Sequence, residues 1–246
     1  LASVIGSSVT ASNVLTPETY TVTATSSAGC TATATATINV FALPTVSAGI
    51  DQSICTGSPA TLSGSGAVTY TWNNGVTNNV AFNPTSNTTY TVTGVDANGC
   101  SNVDDMNITM LALPLVNAGI DQAICINAST SVSASGAVTY TWNNNVVDGV
   151  TFSPTSTATY TVVGVGANGC INQDNMVVVV NPLPTVNAGP NYTVCEGQNI
   201  TLTANTNGST VAWNNSVING FPFTPSVGST TYTVTASSGF GCTNID

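Results

Sequence analysis

Apolar and polar side chains alternate along short stretches of this chain, and no stretch has the spacing of an amphipathic helix. Within residues 43–112 the alternation predicts strands at residues 45–54, 60–65, 68–73, 80–82, 88–95 and 101–111. Turn signals separate these strands, among them Asn98-Gly99, which is typical of a tight hairpin. In the third strand Val68, Tyr70 and Trp72 share one face, which predicts that this face packs into a core.

The same pattern occurs three times along the chain. Residues 67–74 recur letter for letter at residues 137–144, and a degraded copy lies at residues 209–215. Leu-Pro pairs begin at Leu43, Leu113 and Leu183, at intervals of 113 − 43 = 70 and 183 − 113 = 70 residues. We therefore expect a first repeat (43–112), a second repeat (113–182) and a C-terminally truncated third repeat (183–246), preceded by the C-terminal half of another repeat (1–42).

Each repeat has the marks of an immunoglobulin-like β-sandwich. A Trp lies on its third strand, and a Tyr opens its penultimate strand after a Pro-containing corner, where the Tyr hydroxyl commonly bonds the backbone. The Trp residues are Trp72, Trp142 and Trp213, and the Tyr residues are Tyr90, Tyr160 and Tyr232. A β-solenoid is the rival architecture, but its coils repeat over a few tens of residues. The sequence predicts an all-β chain, a tandem array of small immunoglobulin-like sandwiches whose cores contain these aromatic residues.

Composition removes several classes of function. The chain has no Lys, Arg or His against ten carboxylates, for a formal charge of −10. It therefore has no cation to neutralise phosphates, and we expect neither nucleic-acid binding nor attachment to anionic lipid. General acid–base catalysis and anion clamping lose their usual side chains, so we expect no enzyme activity. No apolar run approaches the length that spans a bilayer, which argues against membrane insertion by this segment.

Seven cysteines predict disulfides in an oxidising compartment. Each repeat has two, which form the sets Cys55 with Cys100, Cys125 with Cys170, and Cys195 with Cys242, while Cys30 belongs to the preceding half-repeat. Pairing within a repeat is the default. A sandwich, however, places the two cysteines at opposite poles, and stacking of repeats would instead bring Cys55 beside Cys170 and Cys125 beside Cys242. Both pairings stay open.

The run from Val116 to Cys125, the copy at residues 137–144, Thr159-Tyr160-Thr161-Val162 and Ala167-Asn168-Gly169-Cys170 resemble the Ig-like or PKD-like repeats of large Bacteroidota surface proteins. Gliding-motility adhesins and other cargo of the type IX secretion system are the nearest comparison. The resemblance covers the whole chain. It implies an extracellular, cell-surface location and a stalk or adhesin role.

Other candidate sites have simpler interpretations. The Trp rings could stack on sugars, but their strand position favours the core. Carboxylates could bind Ca²⁺, although the repeats do not share them; the candidates are Asp51, Asp96, Asp104, Asp105 and Asp121. Asp104 and Asp105 could suggest paired catalytic acids, yet neighbours on a strand point to opposite faces. We expect no resident cofactor, and Ca²⁺ is the one alternative.

Three functional hypotheses remain. The first is a structural stalk of serial domains that spaces a distal domain from the cell and has neighbouring repeats as its partners. The second is an adhesive module that binds glycans or proteins through the loops at residues 75–79, 145–149 and 216–221. The third is assembly of copies into a surface filament, with strands exchanged between chains.

Overall fold

The computed structural model describes residues 8–246, and in that range the chain is all-β. It forms 21 strands and one 3₁₀ turn at Asn73–Gly75, and the described residues contain no α-helix. The prediction of an all-β array of small immunoglobulin-like sandwiches is confirmed. The chain divides after Leu111 into two compact units.

The first unit contains an N-terminal hairpin and the first repeat. The hairpin strands are β1 (Glu18–Thr25) and β2 (Thr31–Ile38), which pair antiparallel along their whole length. The first repeat has strands β3 (Gln52–Cys55), β4 (Ala60–Thr61), β5 (Thr69–Trp72), β6 (Ala81–Phe82), β7 (Thr88–Val95) and β8 (Ser101–Leu111).

The second unit contains the second and third repeats. The second repeat has strands β9 (Gln122–Cys125), β10 (Thr130–Ser131), β11 (Thr139–Trp142), β12 (Thr151–Phe152), β13 (Ala158–Val165) and β14 (Ile171–Asn181). The third has β15 (Val186–Asn187), β16 (Ile200–Thr201), β17 (Asn205–Thr206), β18 (Thr210–Trp213), β19 (Pro222–Phe223), β20 (Val234–Ser237) and β21 (Thr243–Ile245).

Two sheets face each other in each of the first two repeats. The larger has the order β5-β7-β8-β3 in the first repeat and β11-β13-β14-β9 in the second, and the smaller pairs β4 with β6 or β10 with β12. The larger sheet thus contains the strands equivalent to C, F and G of an immunoglobulin domain, and the smaller contains B and E. Its edge strand, β3 or β9, runs parallel to the end of β8 or β14.

The predicted strand at residues 45–54 is in fact two short pieces. Ser47 bridges Ser65 at one sheet, and the chain then crosses to the other sheet and pairs as β3. Gly49, with φ of +88°, makes the crossing, because that backbone conformation is strained for other residues. Val68 was also predicted to face the core, but it precedes β5 and is 65% exposed.

Each repeat closes around its own apolar cluster, with the Trp of the third strand inside it. In the second repeat the cluster contains the buried residues Ala118, Val132, Trp142, Tyr160, Val162, Met176 and Val178. The first repeat has an equivalent set that includes Trp72 and Tyr90. In the third repeat only Leu202, Trp213 and Val234 are buried at its centre. The N-terminal hairpin is different, because nearly all of its strand residues are exposed.

Candidate functional site

A disulfide joins the second repeat to the third. Cys125 is the last residue of β9, Cys242 directly precedes β21, and their Cα atoms are 5.6 Å apart. Asn181, opposite Cys125 in the ladder, is 9% exposed, and its carbonyl oxygen lies 3.9 Å from Sγ of Cys242. The same carbonyl accepts the backbone N–H of Ile126 at 2.8 Å. The junction between these two repeats is therefore covalent, and Cys242 and Asn181 are buried in it.

The Leu-Pro segments that begin the repeats are bound to the repeats they introduce. The side-chain amides of Asn102, Asn172 and Asn244 donate to the carbonyl oxygens of Pro44, Pro114 and Pro184 at 3.1, 3.0 and 2.9 Å. Each Asn is the second residue of the last strand of its repeat. The entry segment of a repeat is thereby fixed to that repeat's own last strand.

Within residues 8–246, no disulfide joins the two cysteines of one repeat. Cys100 and Cys195 are free, whereas Cys125 and Cys242 form the bond between repeats. The reason is the length of the last strand: Cys55 pairs with Leu111 at the end of β8, and Cys100 lies before its beginning. Eleven residues of strand separate the two by about 36 Å, far beyond the reach of a disulfide.

The assignment of Cys100 and Cys195 to disulfides within this chain is corrected accordingly. Cys30 is free and exposed as well. Cys55 and Cys170 are disulfide-bonded. The pairing of Cys55 with Cys170 stays a prediction.

Six residues after each Trp, in the loop that follows the strand, an Asn or Asp side-chain oxygen accepts two hydrogen bonds. Asn78, Asp148 and Asn219 accept the indole N–H of Trp72, Trp142 and Trp213 at 3.0, 2.9 and 3.0 Å. The same oxygen accepts a backbone N–H from Gly64, Ala134 or Ala204 at 2.7–2.9 Å. No single residue type marks these acceptors in the sequence, because the position is Asn in the first and third repeats and Asp in the second.

This contact bears on the loops proposed for ligand binding. The loops at residues 75–79, 145–149 and 216–221 contain the acceptors, and the turn leading into them repeats the same conformation. Asn74, Asn144 and Asn215 all have φ of 54°, a left-handed conformation that Asn tolerates. The loops differ in sequence yet share one structural task.

The tyrosine hydroxyl that bonds nearby backbone is not the predicted one. Tyr70 and Tyr140 each donate to the carbonyl oxygen three residues upstream, at 2.6 and 2.7 Å, and accept the N–H of that same residue. Tyr90 and Tyr160 are buried and pack their rings against Phe82 and Phe152 instead. Tyr232 packs on Phe223 but is only half-buried.

Carboxylates fasten the crossing segment of each repeat to its last strand. The carboxylates of Asp104, Asp174 and Asp246 accept the backbone N–H groups of Ala48, Ala118 and Ala188 at 2.8 Å. Asp51 and Asp121 follow the crossing glycines, and their carboxylates accept the N–H groups of Asn107 and Val177 on the last strand at 2.8 Å. The N–H of Ala118, followed by that of Asn175, holds the pKa of Asp174 below its ordinary value.

Hydrogen bonds within the fold account for four of the five carboxylates considered for Ca²⁺, those of Asp51, Asp96, Asp104 and Asp121. Asp96 caps a turn by accepting the N–H groups of Asn98 and Cys100. Residues 8–246 contain no group of three or more His, Cys, Asp or Glu arranged to hold a metal ion. None of the described residues forms a helix with the length and hydropathy to span a bilayer.

An open groove of about 670 Å³ runs along the third repeat. Residues 192–195 and 230–232 line it, together with Leu202 and Trp213. In the second repeat the corresponding space is filled by the end of β14, which pairs with β9 and β13.

Comparison with known proteins gives distant likenesses only. No protein-family model and no curated protein sequence matches the chain. Among solved structures, the N-terminal eight immunoglobulin domains of Down syndrome cell adhesion molecule match at 15% identity and a TM-score of 0.31. That match covers 92% of this chain, and the chain spans 41% of that structure.

Two further structures match at similar levels. A Ca²⁺-stabilised adhesin with which an Antarctic bacterium binds ice has 17% identity and a TM-score of 0.34, covering 94% of this chain and 80% of the other. Extracellular domains 3–5 of Drosophila OTK have 11% identity and a TM-score of 0.32, covering 83% of this chain and 94% of the other.

Proposed function

We propose that this chain is a segment of an extracellular stalk or adhesin whose task is to space a distal domain from the cell surface. The proposal takes residues 43–112, 113–182 and 183–246 as successive domains, and residues 1–42 as part of a preceding one. The bond between Cys125 and Cys242 is the observation that carries it. It fixes one repeat to the next, and such bonds persist in oxidising, extracytoplasmic compartments.

The chemistry of the side chains supports a mechanical role over a catalytic one. The carboxylates of Asp121 and Asp174 accept backbone N–H groups, and the buried Trp142 side chain donates to a loop oxygen. These groups stabilise the fold of each repeat. With no cation in the chain, no residue is available to clamp an anionic substrate.

A cell-surface protein of Bacteroidota, exported by the type IX system for gliding motility or adhesion, remains the source that the sequence resemblance favours. The neighbouring repeats of the same chain are its first partners. Binding of glycans or proteins through the variable loops is the second candidate. We place it behind the stalk because the loops already hold the Trp acceptors Asn78, Asp148 and Asn219.

Small-angle X-ray scattering of the monomeric chain tests the stalk. Three and a half serial domains of about 30 Å each predict a particle about 100 Å long, with a radius of gyration of about 29 Å. A compact globule of this length would have a radius of gyration of about 18 Å. A value near the smaller figure would contradict the proposal.

A cysteine variant and a matched control test whether the disulfide makes the junction between the second and third repeats rigid. Replacing both Cys125 and Cys242 by Ser removes the bond between the second and third repeats, and we expect the scattering to show a broader distribution of lengths. Replacing the exposed free Cys30 by Ser is the control and should leave the distribution unchanged. Glycan-array binding by the monomer would favour the adhesive candidate.

A further inference from the structure

The hairpin turn before the last strand has nearly the same sequence in the first two repeats. Residues 96–100 read Asp-Ala-Asn-Gly-Cys, and residues 166–170 read Gly-Ala-Asn-Gly-Cys. In both turns the glycine N–H donates to the carbonyl oxygen three residues upstream, at 3.2 Å for Gly99 and 3.0 Å for Gly169. The turns therefore share their backbone hydrogen bond and differ in one residue, Asp96 against Gly166.

In the first repeat the carboxylate of Asp96 caps the turn. It accepts the backbone N–H groups of Asn98 and Cys100 at 2.8 and 2.9 Å. In the third repeat Ser238 has the same task, because its hydroxyl oxygen accepts the N–H of Cys242 at 3.2 Å. The side-chain amide of the exposed Asn98 reaches the Asp96 carboxylate at 3.5 Å, which is longer than an ordinary N–H···O bond. The Asn98 side chain is thus weakly held.

In the second repeat Asn168 provides the cap, because Gly166 has no side chain. Oδ1 of Asn168 accepts the N–H of Cys170 at 3.1 Å, and Nδ2 donates to the carbonyl oxygen of Ala112 at 2.8 Å. A Cβ atom on Gly166 would lie 2.9 Å from that Oδ1, closer than real Cβ contacts. An Asp at position 166 and a bound Asn168 side chain therefore compete for the same space.

This difference matters for the chemistry of an Asn that precedes Gly. The side-chain carbonyl carbon of such an Asn can be attacked by the backbone nitrogen of the Gly, which no Cβ shields. The attack requires the Asn side chain to rotate towards that nitrogen. Asn168 must first break two hydrogen bonds, whereas Asn98 has one long contact to lose.

We propose that Asn98 is a site of spontaneous deamidation and that the cap formed by Asn168 protects the equivalent position of the second repeat. The Gly99 nitrogen attacks Cγ of Asn98, the bond from Cγ to Nδ2 breaks, and ammonia leaves with the proton that the Gly99 nitrogen loses. Water then adds to either carbonyl of the resulting succinimide and opens the ring. The product at position 98 is aspartate or isoaspartate, and water is the only co-reactant.

The remaining Asn-Gly pairs place the two hairpins in context. Oδ1 of Asn207 accepts the N–H of Thr185 at 2.7 Å, and Oδ1 of Asn219 accepts two N–H groups. Both side chains are thus held, as that of Asn168 is. The fifth pair, Asn74-Gly75, lies in a turn of another type, with Asn74 at φ of 54°, and is not matched to either hairpin.

Deamidation would change the first repeat and spare the second. It places another negative charge beside Asp96, in a chain that has no Lys, Arg or His to offset it. Isoaspartate also lengthens the backbone of the turn between β7 and β8 by one methylene group. This chemistry goes beyond the stalk function and does not depend on it.

Peptide mapping of the whole chain after ageing in mildly alkaline buffer tests the proposal. Digestion in acid and mass spectrometry of the reduced peptides report the conversion of each Asn separately. We expect Asn98 to convert at least tenfold faster than Asn168, with isoaspartate among its products. Equal rates in the folded chain, or aspartate as the sole product at position 98, would overturn the proposal.

The unfolded chain is the control for sequence effects. Both Asn residues lie between Ala and Gly, so in guanidinium we expect their rates to agree within twofold. A tenfold difference that persists in the unfolded chain would show that the caps do not cause it.

Reciprocal substitutions at the cap identify the cause. Asp96→Gly lets Asn98 cap the turn and should slow its conversion at least fivefold, and Gly166→Asp should displace Asn168 and accelerate its conversion at least fivefold. Asp96→Asn keeps a side-chain acceptor without the charge and should leave the rate at Asn98 within twofold. A similar slowing by Asp96→Asn and Asp96→Gly would assign the effect to the charge of Asp96 and overturn the role of the hydrogen bonds.

Discussion

The second and third repeats share a Trp, an acceptor for its indole and a crossing segment, yet they bury their cores to different degrees. Tyr160 is 4% exposed, whereas its counterpart Tyr232 is half-buried. In the second repeat residues 175–181 lie between β9 and β13 and place Met176 and Val178 in the core.

The strands of the two repeats differ as well. Residues 192–195 and 230–233 correspond to β9 and to the start of β13, but they are not in strands. The hydrogen bond between the Trp and its loop acceptor is nevertheless present in the third repeat, where the indole N–H of Trp213 donates to Asn219 at 3.0 Å.

The largest expected effect is that of Trp142→Ala, which removes the centre of a closed core and should destabilise the second repeat by about 3–5 kcal/mol. Trp213→Ala should cost the third repeat less, because that indole already lines an open groove. Hydrogen exchange of β13 and β20 measures each repeat separately. Equal losses in the two repeats would remove the distinction between a closed and an open core.

Replacing Cys125 and Cys242 together by Ser should lower the free energy of unfolding by about 2–5 kcal/mol. The bond closes a loop between residues 117 apart, and without it the second and third repeats should unfold in separate transitions. Guanidinium titration followed by Trp fluorescence gives both quantities. Cys30→Ser is the control, and a single unchanged transition in the double variant would show that the bond does not couple the repeats.

Removal of the loop carboxylate by Asp148→Ala leaves two N–H groups without their acceptor, those of Trp142 and Ala134, and should cost about 2 kcal/mol. Asp148→Asn keeps an oxygen at the position, as Asn78 and Asn219 do in the other repeats. We expect it to fall within about 0.5 kcal/mol of the original chain. Thermal unfolding of the two variants distinguishes loss of the acceptor from loss of the charge, and an equal loss in both would mean that the charge matters.

The smallest expected effect is on pH dependence. Because the pKa of Asp174 is lowered in the folded state, its contribution is complete above the ordinary aspartate pKa of about 4 and is lost as the pH falls through the lowered value. The second repeat should therefore lose stability on acidification, and Asp174→Asn should lose less between pH 5 and pH 3. Thermal melts at the two pH values measure this, and parallel declines in both proteins would count against the carboxylate.

Alternation alone located the long strands, since β7 and β8 begin and end where the sequence pattern predicts. It failed at residues 45–54 because a strand that crosses between sheets keeps its apolar alternation while its ladder partner changes. The pattern records which side chains face inward. It does not record which strand provides the hydrogen bonds.

The sequence left two cysteine pairings open, within repeats and between them, and the bond between Cys125 and Cys242 confirms the second pairing for these two residues. Their choice depends on the parallel pairing of β9 with the far end of β14, a contact between residues 56 positions apart (178 − 122 = 56). The acceptors of the Trp residues did leave a signal, namely an Asn or Asp six residues after every Trp. Comparison of the three repeats at that position would have revealed it.

The bond between Cys125 and Cys242 determines how the second unit responds when its two ends are pulled apart. Tension that enters at the Leu-Pro segment and reaches Cys125 passes through the sulfur atoms to Cys242, four residues from Asp246. The intervening 116 residues lie outside this covalent route and bear no load, even if their sheets open. Under force the unit would therefore lengthen only through the residues outside the disulfide loop, 112–124 before Cys125 and 243–246 after Cys242.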